Sequence, residues 1–418
     1  MSRVLLTTFG SYGDLHPYLA AAVALKKQGH SPVIATHAEY RDQALRLGLE
    51  FLPLKPSLQD VGPEHEWSKK ANHPIRGTEF ILRTLILPFL EDSYGVLLPA
   101  SENCDVILSH LLTYAAPMVA EKRKIPWLAC MLQPVALLSA YDPPALGPLP
   151  FLPSLRFLGP GFFRVLYRAL MYPGTHWMRP VFDFRERIGL TPMRKNLMEM
   201  GHSPYGNLAM FPSIFAAPQK DWPSPTEQLT FPLFDQETTS ELSVETKDFL
   251  ERGEAPIVFT LGSSIVRMES RFFEYAYDAV KRSGRRAVFL AGPNPQRFPD
   301  AARSDPNVHV AVYEPHSKLF PRAHAVVHQC GIGTTAQALA SGRPQVLVPF
   351  APDQLDNARR CVALGLGEKV RRLSAMAHAL NNVEDHEPAA REFAQKLAQN
   401  SFEPMFQAAF EKLMPRLP

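Results

Sequence analysis

Short apolar runs alternate with helix-like segments along both halves of this chain, and this alternation limits the fold more than any other feature. In the first half, RVLLTTF and DVILSH have the length and composition of buried strands, and amphipathic segments follow them. The second half repeats the cycle through PIVFTLG, RAVFLAG, AHAVVHQ and QVLVPF. Such alternation is typical of parallel sheets covered by helices on both faces. The sequence therefore predicts an α/β fold built from doubly wound sheets.

Length and a change in composition divide the chain. A length of 418 residues exceeds the usual size of one domain. Residues 217–246 lack periodicity and are rich in Pro, Ser, Thr and acids, which predicts a linker. We therefore expect a first domain at 1–216 and a second at 247–418, with a terminal helix that packs back on the first domain. Ligands of such sheets bind beyond the carboxyl ends of the strands, so a cleft between the two domains is expected.

The charge balance and the cysteines exclude several classes of function. Lysine and arginine total 44 and the acids 41, and the net charge of +3 is too small to favour nucleic acid as a partner. The four cysteines form no Cys-x-x-Cys, which argues against a paired metal or redox site and predicts a reducing, cytoplasmic compartment. The opening MSRVLLTTFG predicts a buried strand and not a secretory signal. No run is long and uncharged enough to span a bilayer.

Residues 142–182 differ from the rest of the first half. They are rich in Pro, Phe and Leu and carry scattered arginines. An irregular, locally packed insertion explains this composition. Two alternatives are a lid over an apolar substrate and a patch that touches the inner face of a membrane peripherally.

A glycine-containing turn in HQCGIGTT joins the strand AHAVVHQ to the helical segment TTAQALASG. Gly331 and Gly333 would permit positive φ and close approach of a ligand to the backbone. The first amides of the helix lack internal partners and lie at the positive end of its dipole, and Thr334 could cap them or bond an oxyanion. The turn therefore predicts a phosphate site. It is not a P-loop, because it has no Gly-Lys-Ser/Thr, and a turn that binds nothing is the alternative.

Polar residues follow other strands of the second half. The run QVLVPF returns to the same sheet edge, where Asp353 and Gln354 suit a pair of sugar hydroxyls, although Asp353 could be a simple helix cap. Tyr313 begins YEPH at a strand end, where its ring could stack on a base or simply lie in a surface turn. The GSS at 262–264, which includes Ser263, is a further glycine turn with hydroxyls.

Three segments of the chain together resemble a known family. HQCGIGTT, PFAPDQLDNA and the amino-terminal GSYGDLHPYLAAAVALKKQGH are similar to the UDP-glycosyltransferase-like enzymes of GT-B fold, in which two Rossmann-like domains face across a cleft. The resemblance covers essentially the whole chain. Bacterial members, and among them the rhamnosyltransferases of rhamnolipid synthesis, look most similar.

The resemblance implies an enzyme. Its reaction would be an inverting transfer of a hexose, glucose or rhamnose, from a UDP- or dTDP-sugar to a hydroxyl of an apolar acceptor such as a lipid, a sterol-like compound or a polyphenol. Beyond this co-substrate no cofactor is expected. The absence of any Asp-x-Asp agrees with a metal-independent design.

By motif position the resemblance also implies donor-binding roles. The diphosphate would lie on the glycine turn, the base on the aromatic residue of YEPH, and the sugar hydroxyls on the Asp-Gln pair. The residues that would take these roles are Ser263, Tyr313, His316, His328, Gln329, Gly331, Gly333, Thr334, Asp353 and Gln354. Many relatives have a histidine where Gln329 lies, and Gln329 offers a neutral hydrogen bond in its place.

The resemblance places the catalytic base at Asp14, where many relatives carry histidine. His110 falls about where those relatives carry the aspartate partner of that histidine. Asp14 and His110 would then be a swapped pair, and either could accept the proton of the acceptor hydroxyl. For Asp14 alone, a turn or helix-cap aspartate is the alternative.

Three other functions remain as alternatives. A GT-B sugar epimerase would share the donor site, and a non-catalytic auxiliary protein would retain the fold without the reaction. A dinucleotide-dependent oxidoreductase is disfavoured, because GSYGD lacks the full Gly-x-Gly-x-x-Gly and SPVIAT ends without an acidic residue.

Overall fold

The structure is a computed structural model that describes residues 1–62, 64–73, 75–235, 241–262, 270–292, 298 and 300–414. The chain divides into two compact units. The first unit comprises Met1–Pro232 together with Ser401–Pro418, and the second comprises Leu233–Asn400.

The first unit contains a fully parallel sheet. Its strands in the described chain are β1 (Arg3–Thr7), β2 (Ser31–His37), β3 (Glu50–Leu54), β4 (Val106–His110), β5 (Trp127–Met131), β6 (Asn207–Ala209) and β7 (Thr226–Gln228). They lie in the order β3-β2-β1-β4-β5-β6-β7. Residues of β1, β2, β4 and β5 are almost entirely buried, because helices cover both faces of a parallel sheet.

Helices connect these strands. The α-helices are α1 (Tyr12–Lys27), α2 (Arg41–Arg46), α3 (Leu58–Val61), α4 (Glu64–Ala71), α5 (Gly77–Phe80), α6 (Leu90–Ala100), α7 (Ala115–Arg123), α8 (Gly159–Trp177), α9 (Arg179–Arg187) and α10 (Leu197–Met200). Shorter helical turns span Ala38–Tyr40, Leu87–Phe89, Pro134–Leu137 and Leu152–Leu158, and a π-helix spans Ile81–Ile86.

The second unit repeats this plan. Its sheet is also parallel, with strands β8 (Ile257–Thr260), β9 (Ala287–Leu290), β10 (Val308–Ala311), β11 (Ala325–His328), β12 (Gln345–Leu347) and β13 (Gly367–Lys369). The helices are α11 (Val244–Glu251), α12 (Ser270–Ser283), α13 (Asp300–Arg303), α14 (His316–Leu319), α15 (Ile332–Ser341), α16 (Gln354–Ala363), α17 (Met376–Asn382) and α18 (Glu387–Ala398), with short 3₁₀ turns at Phe320–Arg322, Leu373–Ala375 and Val383–His386. The strand order is β10-β9-β8-β11-β12-β13.

In both sheets the order in which successive strands are added reverses at one point, while all the strands stay parallel. In the first sheet β1 lies beside β4, with Thr7 level with Ser109, and in the second sheet β8 lies beside β11. The order 3-2-1-4-5-6 that results is that of Rossmann-like folds, whose ligands bind where the order reverses. The predicted doubly wound α/β architecture is therefore confirmed in each unit. In the first sheet, the residues that follow β1 and β4 lie at the edge where a ligand is expected. In the second sheet, the residues that follow β8 and β11 lie at the corresponding edge.

Four strands did not stand out in the sequence. The strand β3 contains a proline and lies at a sheet edge, where a missing N–H is tolerated. The strands β6, β7 and β13 have only three residues each, too few for a clear pattern. The strand β7 lies within the range predicted as a linker, so the first unit extends to Pro232.

The helix nearest the end of the described chain, α19 (Phe402–Leu413), belongs to the first unit. Phe406, Phe410 and Leu413 are at most 1% exposed. The ring of Phe410 lies 5.5 Å from that of His30, at the end of α1. Burial of two phenylalanines and a leucine is the main contribution that holds this helix, because each fully buried apolar side chain adds about 2 kcal/mol.

We predict that Phe410→Ala lowers the free energy of unfolding of the first unit by about 3–5 kcal/mol, through lost apolar burial and the cavity left behind. Tryptophan fluorescence during guanidinium denaturation measures this, because all four tryptophans lie in 1–232. The matched control is Ala408→Ser on the exposed side of the same helix. Equal stability of the two variants would contradict the importance of these contacts.

Candidate functional site

The loop after β1 positions Asp14 in the first turn of α1. Its Oδ2 atom accepts the backbone N–H of Ser11 at 2.9 Å, which is half of a capping box. Gly10 has φ +127°, and a Cβ built there would lie 2.2 Å from Asp14 Oδ2. Only glycine fits this position, because its backbone conformation and its contact with the carboxylate both exclude a side chain. The helix-cap alternative is therefore correct for Oδ2, while Oδ1 faces another residue.

That residue is His110, the last residue of β4. Its Nε2 atom lies 3.7 Å from Asp14 Oδ1, a contact that the reversal of strand order creates. Burial lowers the pKa of His110 to about 4, so the ring is neutral near pH 7. Its Nδ1 atom accepts the backbone N–H of Leu112 at 3.3 Å. The single ring proton must then be on Nε2, directed at the Asp14 carboxylate.

Two residues that sequence reasoning missed hold this loop. The N–H of Gly10 donates to His37 Nε2 at 3.3 Å, and the hydroxyl of Tyr40 donates to the Gly10 carbonyl at 3.0 Å. His37 Nδ1 donates to the Pro56 carbonyl at 2.6 Å, which fixes the tautomer. Their position at and just after the carboxyl end of β2, the strand beside β1, is the sequence signal that could have suggested this role.

A small, mostly apolar cavity adjoins the Asp14 loop. Its volume is about 30 Å³, and Thr8 and Leu112 are among its lining residues. Thr8 donates through Oγ1 to the Asp14 carbonyl at 3.1 Å, so the cavity adjoins the Asp14 loop directly. Its other walls include Phe9, Leu54, Ile86, Leu90 and Leu97.

In the second unit, the turn after β11 differs from the expectation in one respect. The sequence indicated that Gly331 and Gly333 would permit positive φ, but Gly331 has φ −62° and the left-handed residue is Cys330, with φ +69°. Two side chains hold Cys330 in this strained conformation. His328 Nδ1 accepts its N–H at 3.1 Å, and Asn357 Nδ2 donates to its carbonyl at 3.1 Å. A non-glycine residue in this region costs about 1–3 kcal/mol, and such strain concentrates at functional sites.

Gly262 and Gly331 instead allow a neighbouring side chain to lie close to the backbone. A Cβ on Gly262, which follows β8, would lie 2.1 Å from Gln329 Nε2, and one on Gly331 would lie 3.0 Å from the same atom. The Gln329 amide therefore lies between the turns that follow β8 and β11. Its Nε2 is 3.5 Å from Thr334 Oγ1, and its Oε1 is buried with no hydrogen-bond partner among the described residues. Such an amide is expected to find a partner in a ligand or water.

His328 lies behind the turn. It is fully buried, and its Nε2 pairs with Gln345 Oε1 at 2.9 Å while its Nδ1 holds Cys330. Burial lowers its pKa to about 4. Both ring nitrogens are thus used within the protein, so this histidine positions the turn.

The helix α15 begins directly after this turn, with Gly331 at its N-cap. Its first backbone N–H groups point toward the carboxyl edge of the sheet and carry the positive end of the dipole. Thr334, in its first turn, is 8% exposed. The geometry is that of an anion site at a helix terminus.

The Asp-Gln pair begins the neighbouring helix α16. Asp353 occupies the N-cap position, but its side chain does not cap the helix. Gln354 Oε1 accepts the backbone N–H groups of Phe350 and Ala351 at 2.9 and 3.0 Å. Asn357, one turn further along the same helix, reaches Cys330, so the Asp-Gln segment and the glycine turn are joined directly. The sequence motif contains Asn357, but its role was missed because it depends on the fold.

The YEPH segment lies at the carboxyl end of β10. The rings of Tyr313 and His316 are 6.0 Å apart, and His316 stacks on Phe320 at 4.4 Å. Desolvation lowers the pKa of His316. Glu314 is 2% exposed and accepts the N–H of Ser243 at 3.1 Å, which fixes the segment against α11. Tyr313 is partly exposed, so its ring can still contact a ligand.

The structure thus groups the predicted residues in two places, one in each unit. Asp14 and His110 meet at the reversal point of the first sheet. Gln329, Gly331 and the residues around them lie at the reversal point of the second sheet. The YEPH segment lies at the same edge of that sheet. Ser263 lies outside the described residues.

Comparisons with known proteins agree with this arrangement. Residues 4–141 match the model for the glycosyltransferase family 28 N-terminal domain, and residues 290–413 match that for the erythromycin biosynthesis protein CIII-like C-terminal domain. The chain is 31% identical over 390 residues to O-mycaminosyltylonolide 6-deoxyallosyltransferase of Streptomyces fradiae, covering 90% of this chain and 86% of that enzyme.

Two further proteins extend the comparison. A sterol 3-beta-glucosyltransferase of Arabidopsis thaliana is 28% identical over 389 residues, and the match covers 87% of this chain but only 57% of that enzyme. The fold is similar to that of the glycosyltransferase VinC in complex with dTDP, with a TM-score of 0.69, 18% identity, and coverage of 99% of this chain and 100% of the other. The chain therefore belongs to the glycosyltransferase family 28 and EryCIII-like group of GT-B type, and it is a nucleotide-sugar-dependent glycosyltransferase.

Proposed function

We propose that this protein catalyses an inverting, metal-independent transfer of a hexose, glucose or rhamnose, from a UDP- or dTDP-sugar to a hydroxyl of an apolar small-molecule or lipid acceptor. The observation that carries this proposal is the bond from Asn357 to Cys330, which joins the glycine turn to the Asp-Gln segment. This junction supports the proposal, because it brings the proposed anion site and the proposed sugar-binding pair to one sheet edge. A nucleotide diphosphate sugar needs both.

The donor would bind along the carboxyl edge of the second sheet. Its base would stack on Tyr313 with His316 beside it, since an aromatic ring there is partly exposed. The sugar hydroxyls would bond to the Asp353 carboxylate and the Gln354 amide nitrogen. The Gln354 oxygen already holds the preceding loop, which keeps that amide in one orientation.

The leaving diphosphate would be stabilised by the first amides of α15. Preorganised N–H groups aimed at developing negative charge supply much of the stabilisation in such transfers. Rotation of the Gln329 amide by half a turn would let Thr334 Oγ1 donate to Oε1 and direct Nε2 to a phosphate oxygen. Gln329 would then replace the imidazole of many relatives by a neutral donor whose charge does not change with pH.

Asp14 is the proposed general base. Its carboxylate would accept the proton of the acceptor hydroxyl as that oxygen attacks the anomeric carbon. The neutral His110 carries its proton on Nε2 toward Asp14, so it cannot accept a proton there. We therefore assign His110 to orienting the carboxylate, a choice that the sequence left open.

The acceptor is proposed to be apolar. Support comes from the sterol named in one relative's activity. A hydroxyacyl lipid, as in rhamnolipid synthesis, stays within this proposal.

The first test is a product scan by mass spectrometry. Purified protein is given UDP-glucose or dTDP-rhamnose, each with a sterol, a hydroxyacyl lipid or a flavonoid. We expect a mass gain of one hexose for at least one pair, and the same yield when EDTA is present. Binding of UDP or dTDP without any product would favour the epimerase or auxiliary alternatives.

We predict that Asp14→Asn lowers kcat by about 10²–10⁴-fold, because asparagine cannot accept the proton. Donor affinity should not change, since Asp14 lies in the other unit. Steady-state rates and calorimetric titration with the nucleotide measure the two effects.

The chain supplies a matched control for this variant. Asp60 has the same capping-box position on α3, accepting the Ser57 N–H at 2.7 Å, as Asp14 has on α1. Asparagine in either place keeps an oxygen for the cap. If Asp60→Asn lost as much activity as Asp14→Asn, the role of Asp14 would be structural only.

The sugar site gives a second prediction. Asp353→Asn should weaken binding of the nucleotide sugar by about tenfold or more, because hydrogen bonds to a charged group are lost. Binding of the free nucleotide diphosphate should stay unchanged. Calorimetric titrations with each ligand test this, with Asp278→Asn on an exposed part of the same unit as the control. Equal weakening of both ligands would place Asp353 away from the sugar.

A further inference from the structure

The helix α8 is attached to the first unit by one face only. Phe163 and Tyr167, one turn apart, are at most 7% exposed and pack with Ala140 and Leu152 in a small apolar cluster. The Tyr167 hydroxyl donates to the Ser139 carbonyl at 3.1 Å. These contacts fix the orientation of the helix and direct its other side to solvent.

That other side carries several large apolar residues, which is unusual for an exposed helix face. Exposed residues recur at intervals of three and four, the spacing of one helical stripe. The large apolar residues of this stripe and of the turn before it are Phe157 (80% exposed), Leu158 (44%), Phe162 (40%), Val165 (67%) and Tyr172 (66%). We call this set the α8 face. Contiguous exposed apolar groups of this kind mark an interaction surface.

The charged residues of the segment that carries the α8 face have a single sign. Residues 143–182 include four arginines and no Asp, Glu or Lys. Arg164 donates to the Tyr141 hydroxyl at 3.3 Å, and Arg179 pairs with Asp183 at 3.7 Å. Arg156 and Arg168 are exposed and form no ion pair with any residue that the structure describes. An occupant of this face must therefore offer apolar groups and negative charge in the same layer.

We propose that the α8 face binds the surface of an anionic phospholipid bilayer. The apolar side chains would enter the boundary between headgroups and acyl chains, and Arg156 and Arg168 would contact lipid phosphates. A bilayer supplies both kinds of group over an area that a stripe of this length needs. The structure describes no helix long and apolar enough to cross a membrane. The inference rests on the proposed function only in that a lipid acceptor would be found at such a surface.

The test is co-sedimentation with vesicles, without donor or acceptor. One set is pure phosphatidylcholine and the other an equimolar mixture with phosphatidylglycerol. We expect binding to the mixed vesicles only, and weaker binding as salt concentration rises. Arg156→Gln with Arg168→Gln should reduce the partition coefficient roughly 30-fold, since each cation near an anionic surface contributes about a factor of five. Val165→Ser with Tyr172→Ser should also reduce it.

Matched controls separate this face from general surface effects. Val244→Ser with Val362→Ser removes apolar residues that are 69% and 44% exposed elsewhere, and Arg282→Gln with Arg322→Gln removes exposed arginines of the second unit. These variants should bind vesicles as the unchanged protein does. Circular dichroism and nucleotide titration establish that every variant is folded.

Three outcomes would overturn the proposal. They are no binding to either vesicle set, equal binding to both sets, and equal loss in face and control variants. Self-association through the α8 face without vesicle binding would likewise assign it to a second copy of the chain. Because no transfer is measured, failure here leaves the proposed reaction untouched, and failure of the product scan leaves vesicle binding to be judged by itself.

Discussion

The reversal of strand order in each parallel sheet is the constraint on which both candidate sites depend. At the reversal point, the loops after the two adjacent strands lead to helices on opposite faces of the sheet. They therefore leave a crevice beyond the carboxyl ends of these strands. In the first sheet this brings His110, at the end of β4, to within 3.7 Å of Asp14, which follows β1. In the second sheet it brings the Gln329 amide against Gly262, which follows β8. Neither contact joins residues that are near in sequence.

Around these points, side chains form hydrogen bonds to the backbone N–H and carbonyl groups of the turns. The Gly10 peptide is bonded at both its N–H and its carbonyl, and so is the strained Cys330. Neutral histidines accept an N–H in each case, namely His37 and His328. Burial lowers the pKa of both, so each stays an acceptor at ordinary pH. Rigid turns of this kind favour preorganised contacts with a ligand.

The parts of this arrangement that are local in sequence could be predicted, and the parts that depend on packing could not. Strands such as β4 and β11 have three apolar residues in a row, whereas β7 has three polar ones. The glycine turn and the Asp-Gln pair were visible as motifs. The positive φ at Cys330 could not be predicted, because it depends on tertiary hydrogen bonds that compensate for the strain. Which histidine contacts a ligand and which supports a turn likewise follows from burial, as His328 illustrates.

The role of Asp14 shows why sequence left two interpretations open. One carboxylate oxygen caps α1 and the other faces His110, so the structural and the chemical interpretation apply to different atoms of the same side chain. Spacing along the chain cannot separate two oxygens. Only the direction of each contact does so.

The placement of α19 in the first unit has a consequence for the order of folding. The chain leaves that unit after Pro232 and returns at Ser401, so the second unit is inserted between parts of the first. During synthesis, residues 1–232 emerge early but wait for their last helix, while 233–400 can complete their own sheet beforehand. Until Phe406 and Phe410 arrive, the surface of the first unit that they cover stays exposed to water. The unit that begins the chain is therefore the last to be finished.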